Sequence, residues 1–172
     1  MKALRISLQI IGALTLGAIL LIALWLLLFS RFTPSSPLNK NDAVFVLNWA
    51  GIDNNQNWKV IESSVSTRSF TGDHTDFYCI QLEQFNIYEK SLQENWRQGP
   101  EENALFAEAV ESAAMWAHHE GSECFPSPEL ANSSRMQIMF QSVITHNRRA
   151  TAAKVILLEP ESKKLFYVSY KT

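Results

Sequence analysis

An uncharged apolar segment near the N-terminus constrains this chain more than any other feature. Residues 6–30, ISLQIIGALTLGAILLIALWLLLFS, contain no charged side chain and are bounded by Arg5 and Arg31. A helix of this length, rising about 1.5 Å per residue, spans roughly 37 Å and exceeds a hydrocarbon core of about 30 Å. The sequence therefore predicts a transmembrane anchor at 6–30, preceded by a short cytoplasmic head at 1–5.

A cleaved signal peptide is the alternative for the same segment. The apolar run exceeds the roughly 7–15 residues of a signal-peptide core, and FSRFTPSS at its end contains no A-x-A-like cleavage site. The basic residues Lys2 and Arg5 in the short head favour an N-terminus inside the cell. We therefore expect a single-pass protein of the bacterial inner (plasma) membrane, with its C-terminal domain in the periplasm.

The rest of the chain divides into a linker and one domain. Residues 31–42 include TPSSPLNKND, which is rich in proline and serine and has no apolar period, as is typical of a linker. Residues 43–172 are enough for one domain with its own core. All 17 acidic residues lie beyond position 41, against 12 basic residues beyond position 32, a net charge of −5. This balance gives no indication of nucleic-acid binding.

Hydrophobic patterns predict an α+β domain. Residues 101–119 have the pattern of an amphipathic helix, with Pro100 before it and Gly121 after it. Apolar or β-branched runs predict strands at 43–49, 58–70, 76–85 and 135–144, followed by a C-terminal hairpin of KVILLE and KLFYVSY. The run at 135–144 is also compatible with a helix, but the alternation of its apolar residues favours a strand. The predicted fold is thus a transmembrane helix followed by a mainly antiparallel sheet covered by one amphipathic helix.

The chain has two cysteines, Cys79 and Cys124. An even count in a small exported domain predicts one disulfide, which would stabilise the fold by about 4 kcal/mol in the chain-entropy model. The alternative is two ordinary buried thiols. Neither cysteine belongs to a C-x-x-C pair, so the spacing matches no zinc motif, and we expect neither a metal nor a cofactor.

The hexapeptide TGDHTD, residues 71–76, is the stretch that most resembles a reactive site. His74 with Asp73 or Asp76 could supply a general base and its orienting carboxylate, or metal ligands. No nucleophile motif accompanies them. A turn accounts for the same residues, because Gly72 allows positive φ and the aspartates can bond nearby backbone. The sequence favours the turn and leaves these three side chains as weak catalytic candidates.

Two further groups of residues have ordinary structural interpretations. His118 and His119 end the predicted helix, where cationic side chains interact favourably with the helix dipole. Trp49, Trp58 and Trp96 could form a stacking surface for a sugar or a peptide, but packing in the core or at its rim is the favoured interpretation.

Two segments carry a family resemblance. RSFTGDHTDFYCIQL and ATAAKVILLEPESKKLFYVSYKT resemble a loose group of small, uncharacterised, exported or membrane-anchored bacterial proteins. In that group a G-D-G-like turn enters an aromatic strand, and the chain ends in an L-Y-Y-type hairpin. Here His74 takes the place of a glycine, and Lys171 replaces an aspartate before the final threonine. The resemblance implies no activity and no functional residues.

Three classes of function follow from these features. The first is a periplasmic binding or interaction module, such as an accessory subunit of an envelope complex with a protein partner. The second is an immunity or inhibitor protein against a toxin. The third is an envelope hydrolase that uses His74 with Asp73 or Asp76, which a concave pocket around His74 would favour. The sequence favours the first class and gives no positive indication of an enzyme.

Overall fold

The computed structural model describes residues 15–22, 25, 40–84 and 95–172. The chain forms two compact units, Met1–Ser36 and Pro37–Thr172. In the first unit, residues 15–22 are helical and their apolar side chains are exposed. Among the residues described, no helix is both long and apolar enough to cross a membrane. Most of the predicted anchor at 6–30, the head at 1–5 and the linker up to residue 39 lie outside the described residues.

The second unit is an α+β domain built on one antiparallel sheet. The helices are α1 (Lys40–Ala50), α2 (Ala104–His119) and α3 (Pro128–Ala131), and the strands are β1 (Trp58–Val65), β2 (His74–Leu82), β3 (Arg97–Gln98), β4 (Gln137–His146), β5 (Arg149–Glu159) and β6 (Lys164–Lys171). The six strands lie in the order β1-β2-β6-β5-β4-β3, and every adjacent pair is antiparallel. The predicted α+β class is therefore confirmed.

The long helix α2 covers one face of the sheet, as the amphipathic pattern predicts. It begins at Ala104, three residues later than expected, because the side chain of Asn103 caps it by accepting a hydrogen bond from the amide of Leu105. Its buried face consists mainly of alanines, which allow the helix to pack close to the sheet. This first core includes Ala109, Val110, Ala113, Ala114 and Ala117 from α2, with Phe77, Cys79, Val155, Leu157 and Phe166 from the strands.

The opposite face is covered by a helix that the sequence does not predict. The prediction of a strand at 43–49 is wrong, because these residues belong to α1. The helix also includes residues 40–42, the end of the predicted linker. Ala43, Val46, Leu47 and Ala50 are fully buried, at the spacing of one helical face. They pack in a second core against Tyr78, Ile80, Leu82, Ile156, Leu158 and Leu165. The sheet therefore has a helix on each face, not on one face only.

Strand β2 follows the predicted turn and carries Cys79 between the two cores. It begins at His74 and ends at Leu82, earlier at both ends than the predicted strand 76–85, while β1 ends at Val65 and not at residue 70. Residues 66–73 therefore connect β1 and β2 as a hairpin loop. The strand predicted at 135–144 and the C-terminal hairpin are confirmed as β4 and as β5–β6.

Candidate functional site

The loop of the β1–β2 hairpin is anchored by an ion pair. Asp76, in β2, accepts hydrogen bonds from both terminal nitrogens of Arg68, at 2.9 and 2.7 Å, and from the amide of Ser66 at 3.2 Å. A guanidinium that bonds a carboxylate through two nitrogens is a strong and geometrically specific pair. The carboxylate is largely buried. Asp76 thus ties the beginning of the loop to strand β2.

The apex of the loop has its own hydrogen-bond network, centred on Ser69. The amide of Gly72 donates to the carbonyl of Ser69 at 2.9 Å, and the amide of Asp73 donates to its hydroxyl at 2.8 Å. The hydroxyl of Thr71 donates to the carboxylate of Asp73. Gly72 has φ +80, a conformation that glycine adopts without strain. The predicted turn at 71–76 is therefore confirmed for residues 71–73, whereas His74, Thr75 and Asp76 already belong to β2, and the carboxylate of Asp73 bonds Thr71 and not the backbone.

A contact from the far end of the chain fixes the same apex. The ammonium group of Lys171, at the end of β6, donates to the carbonyl of Thr71 at 2.6 Å. The loop is consequently held at its base by Asp76, internally by Ser69, and from the adjacent strand by Lys171.

His74 does not pair with either predicted carboxylate. Its Nδ1 lies 2.8 Å from the carbonyl oxygen of Gly72, which can only accept, so Nδ1 carries the proton. Its Nε2 lies 3.0 Å from the hydroxyl of Ser169 and is hydrogen-bonded to it. The carboxylates of Asp73 and Asp76 bond Thr71 and Arg68. The three candidate side chains are neighbours that do not form the acid–base pair considered from the sequence.

Ser169 is the partner that sequence reasoning missed. It lies 95 residues from His74 and is brought to it because β2 and β6 are paired, with Asp76 opposite Ser169. The only signal in the sequence is a serine within the apolar run KLFYVSY. Ser169 is only 3% exposed, so its hydroxyl serves His74 and is not presented to solvent.

A groove of about 420 Å³ lies beside the hairpin. The residues that line it include ones with hydroxyl, imidazole, carboxylate and ammonium groups. Its lining consists of Ser66, Thr67, Asp73, His74, Thr75, Trp116, Glu120, Lys171 and Thr172. The groove could accept a small polar molecule.

The apex of the hairpin presents a large apolar side chain. Phe70 is fully exposed, although its neighbours in sequence are held by the hydrogen bonds described above. Val65, at the end of β1, is also mostly exposed. The tryptophans follow the packing interpretation favoured from the sequence over a stacking surface, because Trp58 and Trp96 lie in the second core and Trp49 is partly covered by Phe45 at 4.9 Å between ring centres.

The two cysteines lie on the other face of the sheet from α1 and close to each other. The sulfur atoms of Cys79 and Cys124 and a carboxylate oxygen of Glu62 lie within 4.8 Å of one another. Both cysteines are free thiols in the structure, close but not at bonding distance. The fold thus supplies the proximity that the predicted disulfide requires, and the bond itself stays a prediction.

Two thiolates and a carboxylate are also a donor set that suits zinc. The carboxylate is already engaged, however. One oxygen of Glu62 accepts from the hydroxyl of Ser122 at 2.9 Å and from the amide of Cys124 at 2.8 Å, and the other accepts from the amide of Glu123 at 3.2 Å. Glu62 therefore serves first to hold the loop that carries Cys124.

His118 holds the same loop from the end of α2. Its Nδ1 lies 2.9 Å from the carbonyl oxygen of Ser122, and its Nε2 lies 3.1 Å from that of Pro126. Both partners are acceptors, so only the imidazolium form donates to both. The role is more specific than the dipole interaction expected from the sequence. His119, next to it, is exposed and contacts the ring of Trp116.

Comparison with protein-family models, with curated proteins and with solved structures finds no match to this chain. The resemblance to the group of small exported bacterial proteins therefore stays a prediction.

Gly72→Ala should lower the free energy of unfolding by about 1 kcal/mol or more, because alanine is strained at positive φ. The added Cβ would also lie 3.2 Å from the Lys171 ammonium that bonds the loop. Gly72→Asn is the matched control, because asparagine adopts positive φ more readily and should cost less. Urea unfolding of the full-length chain measures both. Equal stability of wild type and Gly72→Ala would contradict the strained-turn account.

Proposed function

We propose that this chain is a single-pass membrane-anchored protein whose periplasmic domain binds a protein partner in the cell envelope, as an accessory subunit does. The observation that carries the proposal is the fully exposed Phe70 at the apex of a hairpin loop that is otherwise fixed by hydrogen bonds. The uncharged segment at 6–30 supports the anchor, and the basic residues Lys2 and Arg5 before it favour an exported C-terminal domain.

A fixed aromatic side chain is well suited to anchor an interface. Aromatic residues are enriched among the few positions that carry most of the binding energy of a protein complex. A side chain presented on an ordered loop also loses little conformational freedom on binding, which lowers the cost of association. Around Phe70, the polar groups of Arg68, Thr71 and Asp73 would form the rim. Val65 would extend the apolar contact.

An envelope hydrolase is the second candidate, and the groove of about 420 Å³ beside His74 favours it. Three contacts weigh against it. Nε2 of His74 is occupied by the largely buried Ser169, and Asp73 and Asp76 are engaged by Thr71 and Arg68. A hydrolase would have to break these contacts to activate a nucleophile. The geometry therefore supports binding better than hydrolysis.

The anchored topology predicts that the full-length mass remains in the membrane fraction after an alkaline wash. Protease added to cells with a permeabilised outer membrane should digest the domain at 43–172, while a cytosolic marker protein stays intact. Recovery of a soluble form that lacks residues 1–30, or a domain protected like the marker, would contradict the proposal.

A photo-crosslinking amino acid at position 70 should capture a discrete partner in intact membranes. Met115 is the control position, because it is an exposed apolar side chain that lies on α2 and not on the hairpin, with about half of its surface accessible. Crosslinking should be absent there. Phe70→Arg should abolish co-purification of the partner without lowering the melting temperature, because the fully exposed Phe70 side chain contributes little to the fold.

Equal crosslinking at positions 70 and 115, or unchanged co-purification of Phe70→Arg, would refute the assignment of the hairpin apex as the binding element. A basic toxin as the captured partner would identify the domain as an immunity protein. Capture of a small set of envelope subunits would identify it as an accessory subunit.

A further inference from the structure

The two cysteines differ sharply in their access to solvent. Cys79 lies in the middle of β2 and is fully buried beneath α2 and its neighbours. Cys124 is half-buried in the loop after α2 and lines an open cavity of about 360 Å³. Ile61, Glu62, Glu123 and Lys164 complete the wall of this cavity. Cys124 is therefore the cysteine nearer to solvent, and Cys79 is enclosed by the core.

The two thiols also differ in acidity. The hydrogen bond from Cys79 lowers the pKa of Cys124, and the charge of Lys164 adds to this, against the opposing effects of burial and Glu62. The same hydrogen bond, followed by burial, raises the pKa of Cys79. Cys124 is therefore the more acidic thiol of the pair, and the thiolate, which is the nucleophilic form, develops on Cys124 before it does on Cys79.

We propose that Cys124 and Cys79 form a thiol–disulfide exchange pair, in which the accessible Cys124 attacks and the buried Cys79 resolves. The substrate class is a low-molecular-weight disulfide, R–S–S–R. This reactivity goes beyond a structural disulfide, because it assigns a separate chemical role to each sulfur. The proposed exchange is also independent of the binding function of the hairpin, because Cys124 lies on a different loop.

The reaction balances in two steps. The thiolate of Cys124 attacks one sulfur of R–S–S–R, forming a mixed disulfide and releasing R–S⁻. Cys79 then loses its proton to the released thiolate and attacks the sulfur of Cys124, which releases the second R–S⁻. The cysteine pair loses two electrons and two protons in total, and R–S–S–R is reduced to two R–SH after protonation.

The surrounding contacts keep the two sulfurs close to each other. They lie within 4.8 Å, and a disulfide requires an approach to about 2.05 Å. The backbone of the loop is held by Glu62, which accepts from the amide of Cys124 itself, and by His118 at Ser122 and Pro126. These contacts hold Cys124 beside Cys79, where a mixed disulfide on Cys124 can be resolved.

Oxidised glutathione added to the reduced full-length chain tests the proposal, with intact-mass spectrometry and peptide mapping as the readout. Wild type should lose two hydrogens and keep no adduct, because Cys79 resolves the mixed disulfide. Cys79→Ser should accumulate one glutathione on Cys124. Cys124→Ser should gain none on Cys79 over the same time. Under denaturing conditions both single variants should react alike, which shows that the difference comes from the fold.

Glutathione on Cys79 in folded Cys124→Ser, at the rate seen for Cys124 in Cys79→Ser, would overturn the assignment. So would an unreactive Cys124 in folded Cys79→Ser. Cys79→Ala provides a second variant if serine is not tolerated in the core, and it should form the adduct more slowly because it has no donor for Cys124. Lys164→Gln in the Cys79→Ser background should also slow the adduct several-fold at neutral pH.

Discussion

The pairing of β2 with β6 is the constraint on which the rest of this domain depends. The register runs from His74 opposite Lys171 to Gln81 opposite Lys164. Along β2, alternate side chains enter the two cores, so the strand is buried beneath a helix on each face. A slip of one residue would exchange the two sets and turn Cys79 toward α1, away from Cys124. One strand register therefore positions the hairpin loop and the cysteine pair together.

The hairpin loop is held in place by polar contacts and presents an apolar side chain to solvent. Arg68, Ser69 and Lys171 satisfy the polar groups of the loop, and none of these contacts buries Phe70. Exposed apolar side chains in monomeric proteins are usually scattered and unremarkable on their own. Here the loop beneath Phe70 has been fixed by interactions that do nothing for the core, which favours a role in recognition. The cysteine pair lies on the opposite side of β2 and is organised by a different set of contacts.

Sequence patterns predict those elements whose signals are local. The amphipathic period of α2, the alternating residues of β4 and the C-terminal hairpin are all of this kind, as is the turn at Gly72. The strand predicted for AVFVLNW, residues 43–49, is wrong because a short apolar run fits a buried strand and a buried helix equally well. Only the need to cover the second face of the sheet decides between them. The His74–Ser169 contact likewise depends on strand pairing across 95 residues, which no local pattern reveals.

The central claim is that the hairpin loop is ordered while its phenylalanine is exposed, and residue-level amide hydrogen exchange of the full-length chain tests it most directly. The amides of Ser69, Gly72, Asp73 and Thr75 donate hydrogen bonds within the loop or to its base. The account predicts that they exchange at least about tenfold more slowly than unprotected amides of the same sequence. Phe70, whose amide has no hydrogen-bond partner among the described residues, is the internal reference. Exchange of all five amides at the unprotected rate would show a mobile loop and contradict the account.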